Sequence, residues 1–439
     1  MLNGSKFGIL LAMIMAGCMW FYAHYILVPY QRADASRHSR PRGNLSDLYP
    51  RWLGARELIL YHRDPYSQEV TREIQTGYYG RPLNPALPGD PKDQQAFAYP
   101  VYVAFLLAPI IDIPFSIVQE ASRWILAVVV VFTAFFWLRA SQWFLSPGLV
   151  GIVLILTLGS LPVVQGLKLQ QLSLLVSGFI AVSIVLINRG RLFAAGILLA
   201  IATIKPQLVV PLLGWLLLWA LSNWKMRKGL ILGFALAISV LLIGAQWILP
   251  GWIAEFFAAV SAYRQYTGNS GSILTMFTSP VLAVALTILI VLGMTTIGWR
   301  VRNESADSQN FVLMCSLVLA TTLVIIPTTA LYNQVLLLPA IFLLVRNRNF
   351  FFTGHSVLRL TTAVAGLAIL WPWLIAIILA VLSLIRPRID VLNAWPIPLW
   401  TTFAIPPLVV VLTTSLLVSR LPGKTLKPTV FESSRMNLS

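Results

Sequence analysis

Apolar runs of membrane-spanning length recur along almost the whole chain, separated by short stretches rich in lysine and arginine. The first covers Phe7 to Val28, and further runs cover roughly 98–113, 117–138, 147–165, 170–188, 192–222, 229–249, 278–299, 310–326, 331–345, 357–381 and 401–419. A run of this length crosses about 30 Å of hydrocarbon as a helix. Alternating barrel strands are not seen, and helices are then the remaining way to satisfy backbone groups in lipid. The pattern predicts about twelve transmembrane helices. Lys6 precedes the first run, which lacks a small-residue cleavage site and reads as a retained signal anchor. The expected organisation is a first helix over 1–29, a polar loop with juxtamembrane helices over 30–97, a multi-span domain over 98–419 and a polar tail over 420–439.

Composition agrees with this class: 58% of residues are hydrophobic, 11% are charged and the mean hydropathy is +0.79. The net charge of +17 raises the question of nucleic acid. The basic residues instead sit in small clusters between apolar runs, at Arg189-Gly190-Arg191, Lys225 to Lys228, Arg300 with Arg302, and Arg346 with Arg348. That is the positive-inside pattern of a polytopic protein and not a phosphate-binding face. By the same rule Arg420, Lys424 and Lys427 place the C-terminal tail inside. Cys18 and Cys315 both lie in apolar runs, which argues against a disulfide or metal role. No P-loop, GxGxxG, HExxH or CxxC occurs, so no nucleotide or metal cofactor is expected.

Counting spans from an inside N-terminus puts Arg189-Gly190-Arg191 outside, whereas the charge rule wants it inside with Lys225 to Lys228. Both clusters fall inside if 192–222 is a hairpin broken at Lys205-Pro206 and 98–113 is a re-entrant or juxtamembrane segment. Proline supports the break, because it removes an amide donor and disfavours helix at the residue before it. A lysine amid apolar sequence costs about 2.5–3.5 kcal/mol on insertion scales and calls for an acidic partner, water or an anionic ligand. Lys205 is therefore a candidate for a lipid phosphate.

The carboxylates are concentrated elsewhere. Between Tyr30 and Gln95 lie Asp34, Asp47, Glu57, Asp64, Glu69, Glu73, Asp90 and Asp93, eight of the fifteen acidic residues in the chain. A carboxylate can act as a general base where a polar loop meets a lipid-borne substrate. Asp47, just after the first span, either serves that role, or caps a helix, or is a surface carboxylate paired with Arg51, which shares its face if the segment is helical. Asp64-Pro65-Tyr66 has the chemistry of a turn. Tyr99-Pro100 marks a helix entry, where Tyr99 either anchors at the interface or stacks on a sugar.

The stretches Asp47 to Arg56, Tyr61 to Tyr66 and Phe97 to Pro100 resemble the opening of the polyprenyl-phosphate-mannose-dependent mannosyltransferases of glycosyltransferase family 87, once grouped as a domain of unknown function. The resemblance continues through Gln170-Gln171, Arg189 to Arg191, Ala195-Gly196 and Ile204 to Pro206, and so covers about the first half. It implies the all-α GT-C fold, with a large first extracytoplasmic loop, in the plasma membrane. It also implies an inverting transfer of a hexose, mannose foremost, from a polyprenyl phosphate to a lipid or glycan acceptor, with Asp47 as base. A monophosphate leaving group can be neutralised by basic side chains without a metal. Arg51 and Lys205 are candidates for that work, and Lys168 in the polar break reads as a solvated turn.

The second half departs from the family pattern. A late histidine common in the family has no counterpart in Pro327 to Gln334, where Tyr332, Asn333 and Gln334 offer hydrogen bonds to sugar hydroxyls but no cation at neutral pH. The segment 250–275, with Glu255, Tyr263, Arg264, Gln265, Tyr266 and Asn269, is the expected source of a replacement, Arg264 foremost. Trp371, Trp373, Trp395 and Trp400 suit an aromatic belt. A transporter or flippase of lipid-linked sugars is the alternative, weakened by the absence of an evident inverted repeat.

Overall fold

The computed structural model describes residues 4–38, 46–84, 86–87, 90–91, 93–266, 271–327 and 330–421. Asn269 and the tail from Pro422 on, with Lys424 and Lys427, lie outside the described residues. Among the described residues every regular element is helical. Helix α1 (Gly4–Phe21) runs through a π turn at Tyr22–Leu27 into α2 (Val28–Arg37), well past the expected end of the first span. Tyr22 fixes the π turn by donating its hydroxyl proton to the Trp395 carbonyl at 2.6 Å.

The polar loop folds as α3 (Tyr49–Tyr61) and α4 (Gln68–Tyr79). Half of its eight carboxylates are held by arginine ion pairs: Arg63 meets Glu57 and Glu73 at 2.6 Å each and Glu69 at 3.3 Å, and Arg81 holds Asp90. The Glu73 and Glu57 carboxylates push the Arg63 guanidinium pKa up. Asp64 turns the chain by accepting the Tyr66 amide at 2.9 Å, as its Asp-Pro sequence predicts. The apolar run 98–113 is a short buried helix, α5 (Val103–Leu107), followed by a 3₁₀ turn at Ala108–Ile110, and not a span. Trp52 of α3 binds it through the Ile110 carbonyl at 3.0 Å.

The remaining helices form the apolar bundle. They are α6 (Phe115–Ala140), α7 (Pro147–Leu158), α8 (Leu161–Lys168), α9 (Leu172–Asn188), α10 (Leu192–Ala202), α11 (Pro206–Leu221) and α12 (Trp224–Ile248). Then come α13 (Trp252–Tyr266), α14 (Ile273–Phe277), α15 (Pro280–Val301) and α16 (Gln309–Ile325). A 3₁₀ stretch at Leu331–Leu337 leads to α17 (Leu338–Arg346), α18 (Arg348–Thr353), α19 (Ser356–Leu382), α20 (Arg388–Asn393) and α21 (Ile405–Arg420).

Five helices are long and apolar enough to cross a membrane alone: Ser5–Arg37, α6, α12, α15 and α19. The α7–α8 pair, bent by 55°, makes a sixth candidate, and six further apolar helices have only 10–17 residues. The expectation of about twelve full spans is therefore corrected to five or six candidates. Proline and polar residues break the other apolar runs into pieces that cross only as parts of a packed bundle.

One of those broken runs is 192–222, which leaves one end of the bundle and returns to it. Leu192, beside Arg191, lies against Gly229, beside Lys228, and the Ser222 hydroxyl donates to the Arg302 carbonyl at 2.7 Å. Arg227 gathers the same end by donating to the carbonyls of Trp219, Arg302 and Glu304 at 2.8–2.9 Å. The basic clusters at 189–191 and 225–228 thus share one end, as a hairpin broken at Lys205-Pro206 requires. Small residues make the hairpin possible. A Cβ on Gly196 would run into the Leu230 carbonyl, and one on Gly233 into the Phe193 carbonyl, so α10 and α12 touch backbone to backbone.

Candidate functional site

At the opposite end of the bundle from the basic cluster, two helix breaks face the polar loop. The first is the α8–α9 turn. Gln170 adopts a left-handed φ of 47°, its amide donates to the Leu167 carbonyl at 3.3 Å, and the Gln171 amide donates to the Gly166 carbonyl at 2.8 Å. This is a Schellman end, which favours glycine at the left-handed position. Glutamine is held there because its side-chain Nε2 donates to the carbonyls of Leu167 and Lys168 at 2.7 and 2.9 Å. The second break is Thr203-Ile204-Lys205, whose Thr203 carbonyl accepts the Tyr102 hydroxyl at 2.9 Å. Gln171 and Lys205 stand at the N-terminal ends of α9 and α11, so the positive poles of two helix dipoles converge beside them.

Asp47 rests on the first break. Its amide donates to the Leu169 carbonyl at 2.9 Å, Gln171 Nε2 donates to its Oδ2, and the Tyr78 hydroxyl reaches its Oδ1 at 3.4 Å. The carboxylate caps no helix, since α3 begins after Leu48 without a side-chain cap. Nor does it pair with Arg51, whose Nη1 donates to the Asp47 backbone carbonyl at 2.9 Å while its Nε is buried without a partner.

Lys205 is 5% exposed and forms no ion pair within 4.0 Å among the described residues. Its Nζ donates to Gln171 Oε1 at 2.7 Å and to Ser173 Oγ at 2.6 Å. The Ser173 hydroxyl in turn donates a hydrogen bond to Asn333 Oδ1 at 2.7 Å, which brings the expected Asn333 into the cluster. The Lys205 ammonium also lies 5.6 Å from the Tyr99 ring centroid and 5.1 Å from that of Tyr332. The other face of this cation cage is Arg51, 4.4 Å from the Tyr99 centroid. Tyr99 is thus buried between two cations and does not anchor at an interface.

The remaining expected residues fall at the margin. Gln334 turns away and donates to the Thr402 carbonyl at 2.7 Å. It borders an apolar cavity of about 310 Å³ lined by Trp143, Leu161, Leu338, Phe342, Ile369 and Trp373 among others. Arg264 is exposed on α13, and the adjacent Tyr263 donates to Asp93 Oδ1 at 3.3 Å. Lys168 donates to Gln31 Oε1 at 2.7 Å. Of the tryptophans expected in an aromatic belt, Trp373 is buried and donates to the Gly159 carbonyl at 2.7 Å, whereas Trp400 is exposed.

Asp93 was one carboxylate among eight in the sequence and stands out only in the structure. Gln95 Nε2 donates to its Oδ2 at 2.7 Å and the Tyr79 hydroxyl to its carbonyl at 2.7 Å. Adjacent tyrosines of α4 therefore bind Asp47 and Asp93. Burial, and after it the Asp47 charge, pushes the Asp93 carboxyl up from the ordinary carboxylate range, and burial likewise raises the Tyr263 phenol. Among the described residues no three His, Cys, Asp or Glu side chains are grouped to hold a metal.

The arrangement joins a half-buried carboxylate, through one amide, to a buried lysine that has no ion-pair partner among the described residues, with a guanidinium close by. It can take a proton from a hydroxyl and hold an anion in the same cleft. The family model for glycosyltransferase family 87 matches residues 97–327, more than half of the chain, taking in Tyr99, Gln171 and Lys205 but not Asp47 or Asn333. No curated protein and no solved structure matches the chain.

Proposed function

The chain belongs to glycosyltransferase family 87 and is a membrane-embedded glycosyltransferase, and from that premise we propose that it moves a hexose, mannose foremost, from a polyprenyl phosphate to a hydroxyl of a lipid or glycan acceptor. The observation that carries this reading is Lys205, a buried lysine with no ion-pair partner among the described residues, linked through Gln171 to Asp47. An isolated buried ammonium is unfavourable unless a ligand charge completes it. A phosphodiester head group is that charge.

In this mechanism the acceptor hydroxyl loses its proton to the Asp47 carboxylate as its oxygen attacks the anomeric carbon. The bond from that carbon to the phosphate oxygen breaks, and the electron pair leaves with the polyprenyl phosphate. Lys205 and Arg51 stabilise the departing charge in a site partly closed to water. Attack opposite the leaving group inverts the anomeric centre. Asn333, bonded to Ser173, and Tyr99, beside Lys205, are groups near the lysine that can meet the sugar, and the apolar cavity beside Gln334 suits a prenyl chain. The lysine and arginine clusters at the opposite end face the cytoplasm by the positive-inside rule, which puts the site on the extracytoplasmic side of the plasma membrane.

The test is transfer of radiolabelled mannose from polyprenyl phosphate mannose to membrane acceptors by purified wild-type, Asp47→Asn and Lys205→Met proteins. Asp47→Asn is expected to lose at least about 10²-fold in rate with donor binding retained, the scale of removing a general base. Lys205→Met is expected to weaken donor binding. Equal transfer by wild type and Asp47→Asn removes Asp47 as the base.

A further inference from the structure

Beyond the family's transfer chemistry, and resting on the roles given above to Asp47 and Lys205, we propose that Gln171 is a positioning residue that locks the base and the phosphate-binding cation into one hydrogen-bonded unit. Its amide has only one workable orientation. Oε1 accepts from the Lys205 ammonium at 2.7 Å and Nε2 donates to Asp47 Oδ2. Rotating the amide by half a turn would set NH₂ against an ammonium and a carbonyl oxygen against a carboxylate. Opposite charges therefore fix the amide, and the amide in turn fixes the two charges.

The backbone prepares Gln171 for this. Its amide N–H closes the Schellman end of α8, its carbonyl accepts the Leu174 amide at 3.1 Å, and the residue is 3% exposed. Asp47 is tied to the same turn by its backbone through Leu169. The left-handed Gln170 that aims Gln171 is a strained conformation for a residue other than glycine, and such strain is retained where the surrounding structure over-determines it. With Gln171 in place, the carboxylate is held as an acceptor with Oδ1 turned to Tyr78, and the Lys205 amine is aimed by its bonds to Gln171 and Ser173.

The charged and titratable groups that face Asp47 are Arg51 from α3, Tyr78 from α4, Asp93 from the loop, Lys205 before α11, Tyr263 from α13 and Tyr332 after α16. None of them supplies the neutral donor that Gln171 gives to Oδ2. Losing a donor to a carboxylate disfavours its charged form, and a second carboxylate alongside disfavours it more.

The experiment is the pH–rate profile and donor KM of detergent-solubilised full-length Gln171→Met and Gln171→Glu, with polyprenyl phosphate mannose as donor. Gln171→Glu is nearly isosteric and keeps an acceptor for Lys205, so it serves if Gln171→Met fails to fold. The acid limb is expected to move to higher pH in both, by about one unit or more in Gln171→Glu, with donor KM raised about tenfold there because Lys205 is neutralised. A merely structural role would lower the rate equally at every pH with the acid limb and KM unchanged, and that result overturns the proposal. Absence of transfer by the wild type from this donor refutes the function proposed above instead.

Discussion

A carboxyl group that folding drives toward its neutral form leaves a signature in stability against pH, and Asp93 is such a group. Burial and the Asp47 charge raise its pKa, so the folded protein keeps a proton at pH values where the unfolded chain has released it. The contribution from Asp93 is fully present below the ordinary carboxylate range and is lost as pH rises through the raised value. Asp93→Asn is therefore expected to raise the melting temperature at about pH 8, by about 2 °C, and to leave it nearly unchanged at about pH 4. A thermal scan in detergent at both pH values checks this, and an equal shift at both would remove the titration as its cause. Asp47 and Lys205 were legible in the sequence because a carboxylate after a span and a lysine inside one are conspicuous by charge. Gln171 was not. An uncharged amide gives no sign that its partners lie 124 and 34 residues away. The meeting of Tyr263 with Asp93 was equally hidden, since neighbouring residues on a helix point about 100° apart and only the docking of α13 sets which of them meets the loop there.

At the scale of elements, hydropathy found where helices lie but not which of them cross the bilayer. The run 98–113 is as apolar as a span, yet Pro100, Pro109 and Pro114 restrict it to a short helix that α3 covers. Apolarity alone does not tell burial in protein from burial in lipid. Lys205-Pro206 was legible because proline and a charge coincide at one point, and the break lies there. The contact between α10 and α12 carries a stronger demand than either helix shows alone. Gly233→Val would drive a branched side chain into the Phe193 backbone, with an expected loss of about 3 kcal/mol or more. The monodisperse fraction in size-exclusion chromatography should fall sharply. Gly293→Val on α15, where no atom crowds the position, should leave it unchanged and serves as the control.

For the molecule as a whole, the sequence revealed two chemically distinct ends, one basic and one holding the acidic loop, through the clustering of charge. It did not reveal how the loop divides its carboxylates, because Arg63 and Arg81 claim their partners only after α3 and α4 have folded. The polarity of these ends predicts a labelling pattern. With Cys18 replaced by alanine and Cys315 buried, an impermeant maleimide should modify Gln68→Cys in intact cells, and Arg189→Cys only after permeabilisation. The reverse pattern would invert the proposed orientation. The hairpin from Leu192 to Leu221 also bears on how the protein is made. Its first helix has 11 residues, about 16 Å of rise, too short to cross hydrocarbon, and its tip carries a lysine. The glycine face that shelters α10 belongs to α12, which the ribosome delivers later. A nascent chain ending at Asn223 therefore holds a segment that the translocon has little reason to release into lipid, and integration of the hairpin is coupled to the arrival of α12.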